Sequence, residues 1–226
     1  RGRDAFANCA VSWATEAHKV HETAEDDVRH VDRGVARRQA FLQAARDVFL
    51  EQGYEEASVN DVVRRAGGSL ATLYAQFGNK EGLFLAVAQD QNDRFVRALT
   101  PECVDHLPLK EGLEVIGQRF LGALLARENL AFFRIIVGEG RKFPQLLQRY
   151  MTTGSDKVRA VVADYLKTRG PEIADPEAAA PYFLELIRSK HHYRAMSDEN
   201  YRLTEAEVEQ YVAHAVRFFL NGALPR

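Results

Sequence analysis

Apolar residues recur along this chain at steps of three and four, and no stretch alternates in twos for long enough to make a strand. Glycines and prolines fall between the periodic stretches. The pattern predicts an all-α fold. Over residues 37–53, Phe41, Ala44, Ala45, Val48 and Phe49 line one helical face, and Gly53 ends the helix. Ser58 is the N-cap of a second helix reaching Ala66, with Asp61 three residues on as a capping-box partner and Val59, Val62 and Val63 inward. Gly67 and Gly68 supply a corner at which positive φ costs little. Ser69 caps a third, short helix. Gly78 closes it, and Asn79 caps a fourth that runs to about Leu99.

Pro101 and Pro108 bracket a loop, after which residues 109–127 form a helix with Leu113, Val115, Ile116, Phe120 and Leu121 inward. The next segment, "ENLAFFRIIVGEG", is nearly all apolar on three sides, which predicts a central place in the fold. Pro144 suits the first turn of a helix reaching Gly170. Two long helices follow over residues 176–196 and 204–220, the second opened by Thr204 and Glu207 in capping positions. At the other end, residues 4–30 predict a helical extension with a loose apolar face of Phe6, Val11, Trp13, Ala14, Ala17 and Val20. The chain therefore divides into an extension (residues 1–34), a small helical domain (35–95) and a larger one (96–226).

Composition narrows the function classes. The 226 residues are 46% hydrophobic and 27% charged, ordinary values for a globular protein. The net charge of −2 means that any nucleic-acid contact must come from a local surface. Residues 1–34 hold five Lys/Arg and seven Asp/Glu, a net of 5 − 7 = −2, which is not a basic DNA arm. Cys9 and Cys103 fit no metal spacing and read as reduced thiols. No apolar run approaches the ~18 residues that span a bilayer, and the short apolar start is broken by Asn8 and Ser12, so a cytoplasmic protein is expected, without membrane partners. The missing initiator Met suggests a trimmed start. "HHY" at residues 191–193 puts neighbouring histidines about 100° apart on a helix, with no carboxylate or Cys at i+4 to complete a chelate. No nucleophile triad, metal motif or phosphate loop is found, so no catalytic residues, metal or cofactor are assigned.

A short helix, a glycine corner and a second short helix are the parts of a helix-turn-helix, held here by the helix before it. In such a unit the second helix lies in the major groove and its N-terminal residues meet base edges. The residues carry a resemblance as well. Ala45, Phe49, Gly53 and Tyr54, then Ser58-Val59, Ala66-Gly67, Ser69, Thr72-Leu73-Tyr74, Phe77, Asn79-Lys80-Glu81 and Leu83-Phe84 keep the spacing of the DNA-binding domain of the tetracycline-repressor (TetR) family over about 50 residues. "FFRIIVGEGRKFPQLLQRY" and "YFLELIRSKHHYRAM" resemble its ligand-binding and dimerisation region, of the multidrug type.

The resemblance implies a three-helix helix-turn-helix DNA-binding domain followed by a larger ligand-binding and dimerisation domain. Thr72 and Tyr74 match DNA-contacting positions, Lys80 a phosphate-binding lysine and Ser58 a backbone-contacting hydroxyl. Ser69 caps the reading helix, Leu70 and Ala71 occupy its groove-facing turn, and Arg37 joins the placed cations, with Arg38, Arg64 and Arg65. Two letters depart from the usual family pattern. Gly68 loosens the corner at ~0.5–1 kcal/mol against Ala if it is helical. Leu70 stands where a basic residue is common, and with Ala71 offers methyl contacts to thymine. Residues 35–95 net 7 − 8 = −1, so affinity rests on a few placed cations and should depend only weakly on salt.

By the same resemblance the larger domain holds a small, apolar effector. The expected wall is Phe120, Leu124, Phe132, Phe133, Ile136, Tyr150, Tyr182, Phe183 and Tyr193, though core packing draws on the same residue types. Tyr182, Leu186, Val208, Tyr211, Val212, Ala215 and Phe219 on the last two helices are the expected homodimer interface, which would present two reading helices to palindromic double-stranded operator DNA. The implied function is a ligand-released repressor. The competing reading is a helical interaction or sensor protein that kept the fold without DNA binding, supported by the uncharged reading helix.

Overall fold

The computed structural model describes residues 25–99, 104 and 106–223. The apolar face expected in the extension, both cysteines and Pro101 lie outside these residues. Two compact units are present, Arg1–Gln39 and Ala40–Arg226. The described residues hold nine helices and no strand: α1 (Glu25–Glu56), α2 (Val59–Ala66), α3 (Leu70–Phe77), α4 (Lys80–Ala98), α5 (Leu109–Leu125), α6 (Arg127–Glu139), α7 (Pro144–Arg169), α8 (Pro176–Ser197) and α9 (Glu205–Ala223).

Caps set most boundaries. Ser58, Ser69 and Asn79 accept from the backbone N–H groups of Asp61, Thr72 and Gly82, and Asp175 does the same for Ala178. At α9 the capping box is reciprocal: Glu207 accepts from Thr204 N at 2.8 Å, and Thr204 Oγ1 accepts from Glu207 N at 3.3 Å. The box expected at Ser58 is built differently. Ser58 N donates to Gln52 Oε1 of α1, and Asp61 accepts from Gln52 Nε2 and pairs with Arg64. Gln52, not Asp61, closes the cap. α1 is already helical from Glu25, upstream of the start expected near Arg37, because residues 25–36 contain no proline and only one glycine to stop a helix. Its expected break is present, with Gly53 at φ 74°. Of the Gly67–Gly68 pair only Gly67 takes a positive φ, 65°, since one such residue turns the corner.

Two apolar clusters form within Ala40–Arg226. One gathers Phe41, Ala45, Val48 and Phe49 of α1, Val62 of α2, Leu73 and Phe77 of α3, and Leu83, Phe84 and Val87 of α4. Phe132 and Ile136 of α6 complete it, although they lie far along the chain. Phe84 is the hub, its ring 4.8 Å from those of Phe49 and Tyr54 and 5.5 Å from Phe132. The second cluster joins α5, α7, α8 and α9 through Leu113, Ile116, Phe120, Val162, Leu166, Phe183, Ile187, Val212, Val216 and Phe219. Gly117 of α5 lets α9 come close: a Cβ there would stand 2.7 Å from Val212 Cγ1.

α8 is broken at Ser189, whose φ of 31° and ψ of −143° are costly for a non-glycine residue. The Tyr211 hydroxyl of α9 donates to Leu186 O, in the turn before the break, at 2.6 Å. Past the break, Arg134 of α6 donates to Ala195 O at 2.7 Å and Met196 O at 3.3 Å, capping the end of α8.

Truncating the hub removes contacts with α1 and α6 together. Phe84→Ala should cost about 3–5 kcal/mol in urea unfolding. A loss within about 0.5 kcal/mol of zero would mean that the hub does not hold these helices.

Candidate nucleic-acid interface and ligand cavity

α3 is pinned from below by Leu73 and Phe77, both buried, with the Phe77 ring edge-on to Phe41 at 6.3 Å. At 100° per residue this inward pair sets the centre of the outward face at Ala71, Thr72 and Ala75. Tyr74 and Gln76 stand on the two flanks, and Leu70 lies nearer the inner edge. All six are exposed, Leu70 at 37% and Tyr74 at 42%. Ser69 Oγ accepts from Thr72 N at 3.1 Å and sits 2.9 Å from Thr72 Oγ1, so the first turn is preformed. The Tyr74 hydroxyl has no hydrogen-bond partner among the described residues.

Ser69, Leu70, Ala71, Thr72 and Tyr74 thus share one exposed helix. Ser58 is half-buried at the start of α2, and Lys80 stands at the start of α4. Arg37 is exposed in the unit Arg1–Gln39. Ala75 and Gln76 were missed by sequence reasoning. Continuing the helical wheel past Tyr74 would have found them, since Leu73 and Phe77 fix the inward side.

The cations are tied down more than their spacing suggests. Lys80 Nζ donates to Glu55 O at 2.7 Å and lies 5.1 Å from the Tyr54 ring centre, fastening α4 to the end of α1. One of its three protons is therefore spent inside the fold. Arg65 makes a two-pronged pair with Glu51 at 2.6 and 2.7 Å, and Arg64 pairs with Asp61 at 2.9 Å. The Arg65 guanidinium holds the Glu51 carboxyl below the usual carboxylate range, chiefly by hydrogen bonding.

A cavity of about 320 Å³ opens between α4, α5, α6, α7 and α8. Phe95, Phe120, Leu124, Phe133, Val158 and Leu184 give it apolar walls. Gln91, Asn92, Tyr150, Arg188 and His192 bring polar atoms. Asn92 Nδ2 donates to Tyr150 O at 3.3 Å, while the Gln91 amide has no partner among the described residues. His192 sits edge-on to Phe133 at 5.3 Å. Burial, helped by the Arg188 charge, pushes the His192 imidazole down to about 4, so it is neutral at physiological pH. Burial pushes the Tyr150 phenol up to about 12, keeping it protonated.

The structure corrects part of the expected wall. Phe120, Leu124, Phe133 and Tyr150 line the cavity. Phe132 and Ile136 do not, because they face the cluster around Phe84. Phe183 packs on Phe219 at 5.3 Å inside the second cluster. Tyr182 and Tyr193 point to solvent, 72% and 68% exposed. The expected dimer stripe is corrected likewise. Val212, Ala215 and Phe219 are buried against the chain's own helices, because the wide stripe of α9 turns this side to α5 and α8. Leu186, Val208 and Tyr211 are half-buried, while Tyr182 and Phe218, the latter overlooked, remain outside. The adjacent histidines do diverge. His191 turns away from the cavity, its Nδ1 2.5 Å from the Tyr201 hydroxyl and its ring edge-on to Tyr211 at 4.2 Å. Among the described residues no cluster of three His, Cys, Asp or Glu is arranged to hold a metal, and no helix is long and apolar enough to cross a membrane.

Comparison with known proteins places this arrangement. Residues 41–87 match the family model described as bacterial regulatory proteins, tetR family. Residues 111–222 match that of the AefR-like transcriptional repressor C-terminal domain, which specifies the type of the second region. The chain is 48% identical over 58 residues to the HTH-type transcriptional repressor ComR of Escherichia coli K12, covering 26% of this chain and 28% of ComR. It is 38% identical over 69 residues to the repressor AcnR of Corynebacterium efficiens, covering 30% of this chain and 37% of AcnR. These matches span less than half of either relative. Among solved structures, the flavonoid-responsive regulator FrrA is 31% identical, with a TM-score of 0.70 over 84% of this chain and 98% of FrrA. A TetR-family regulator from Mesorhizobium loti shares the fold at a TM-score of 0.76 and 24% identity, over 85% of this chain and 99% of that one. The two family models meet the helix-turn-helix and the helical region behind it in chain order, and the chain belongs to the TetR family of transcriptional regulators, which are DNA-binding proteins and not enzymes.

Proposed function

We propose that this protein is a ligand-responsive repressor. It binds palindromic operator DNA as a homodimer and leaves it when a small effector fills the cavity. The reading rests above all on α3: an exposed helix with a preformed first turn and a Tyr74 hydroxyl with no partner among the described residues. A packing helix would have no reason to present that face. Tyr74 reaches a phosphate, and Ser58 and the remaining protons of Lys80 reach the backbone beside it. Arg37 is one of the few placed cations on which affinity rests. Residues 35–95 serve as the reader and residues 96–226 as the sensor, in a cytoplasmic protein.

The effector is apolar and aromatic, with hydrogen-bonding groups. The cavity volume falls within the range of small-molecule sites. Its phenylalanines offer ring faces, and Gln91, Tyr150 and neutral His192 offer uncharged partners. That FrrA is a flavonoid-responsive regulator supports this class. Tyr182 and Phe218, exposed on α8 and α9, belong to the face that meets a second copy.

Three outcomes test the reading. Tyr74→Phe removes one phosphate hydrogen bond and should weaken binding to DNA from the protein's own upstream region by roughly three- to tenfold. Lys80→Ala should also weaken it, and the salt slope should stay shallow. Failure of the unaltered protein to bind that DNA or a random-sequence pool sinks the repressor. Phe218→Asp should shift the dimer toward monomer in sedimentation, and a monomeric starting protein defeats the dimer. The third outcome concerns pH. The folded value of His192 lies below its ordinary 6.5, so the stability contributed by its neutral ring is present above that pH and is lost as pH falls toward 4. The melting temperature should therefore drop between about pH 7 and 4.5 more steeply in the unaltered protein than in His192→Phe, and equal slopes would refute this role.

A further inference from the structure

The chemistry of the outward face of α3 bears on which bases it can read. Its centre is Ala71, Thr72 and Ala75, which offer methyl groups, and the one hydroxyl among them is engaged with Ser69. Gln76, on the flank, is its only amide, and no residue from Leu70 to Phe77 is charged. Guanine is read in the major groove chiefly by the fork of Arg or by Lys, on O6 and N7, and cytosine by a carboxylate accepting from N4. α3 has neither. The nearby cations are engaged elsewhere: Arg64 with Asp61, Arg65 with Glu51 and Lys80 with Glu55 O. Methyl groups meet the thymine C5-methyl, and a glutamine amide fits adenine N6 and N7. The small side chains at the centre also let the helix come close enough for methyl-to-methyl contact.

We propose that this reading helix selects A·T base pairs, through thymine methyls packed on Ala71, Thr72 and Ala75 and an adenine bound by Gln76, and makes no contact to guanine. The inference rests on the DNA-binding reading above and names the base chemistry that the interface takes. Specificity then comes from shape and methyl packing, while Tyr74 and the backbone donors fix register.

The test selects sites for the full-length chain from a random-sequence duplex library at fixed salt. Two chemical scans of the winning half-site follow. Replacing each thymine by deoxyuridine removes only the C5-methyl, and should weaken binding by about fourfold at each contacted position. Methylating guanine N7 under α3 should have no effect. Gln76→Ala should relax preference for one adenine by at least about fivefold, and Ala71→Arg should create a preference for guanine nearby. Half-sites with invariant G·C pairs under α3 that are sensitive to N7 methylation overturn the inference and leave the repressor reading standing. So does indifference to deoxyuridine at every thymine. Enrichment of no sequence by folded protein removes both.

Discussion

Phe132 and Phe133 are neighbours on α6 and stand in different environments, and the fold turns on that division. At about 100° per residue the two side chains leave the helix in different directions. Phe132 goes with Ile136 into the cluster around Phe84, beneath the DNA-reading unit. Phe133 turns to the cavity, against His192. Tyr150 touches both, its ring 6.4 Å from Phe132 and 6.3 Å from Phe133. A rigid helix with one side in each environment cannot shift in response to the cavity without moving its reader side. Of the ion pairs that run alongside it, Lys142 with Glu55 is exposed on both sides and worth little, and Arg46 with Glu128 pairs a mostly buried guanidinium with an exposed carboxylate. Aromatic packing carries the connection.

How much of this was legible in the sequence depends on distance along the chain. Caps and stripes are local, so Ser58, Ser69, Asn79 and Thr204 announced their helices, and the run from Ala45 to Phe84 announced the reader. The sensor wall was only half legible. Phe132 and Phe133 are the same letter, and only the helices packed around α6 decide which faces a cavity. Tyr182 and Phe183 pose the same problem with the opposite outcome, one exposed and one buried. The α9 stripe misled because its width was read as surface for a partner, whereas Gly117 lets α5 cover most of it. Arg134 and Lys80 act on backbone atoms of distant segments, and Gln52 on a cap across the break at Gly53, and no helical spacing rule points to such partners.

The reader's charge follows from the same geometry. A helix-turn-helix needs firm attachment of short helices, and here cations supply much of it: Arg65 holds α2 to α1, and Lys80 holds α4 to α1. Cations so engaged have fewer donors left for phosphates, which is why counting Lys and Arg overstates the electrostatic reach of this face. What the outward face of α3 itself presents is shape, hydroxyls and methyl groups.

The cavity obeys a parallel constraint. Burial keeps His192 deprotonated and the Tyr150 phenol protonated, and of the charged residues on its lining Arg188 is paired with Glu185 at 3.2 Å. An occupant of the cavity would meet these groups already in place, including the buried Arg188 Nε, which has no partner among the described residues. Binding alone does not release DNA: only a difference in affinity between the two states of the protein does. The strained Ser189 lies between the cavity residues Arg188 and His192. Its backbone is costly in one arrangement, and Tyr211 and Arg134 hold the helix on either side of the break. The end of α8 that Arg134 caps is thereby joined to α6, whose Phe132 lies in the reader's core.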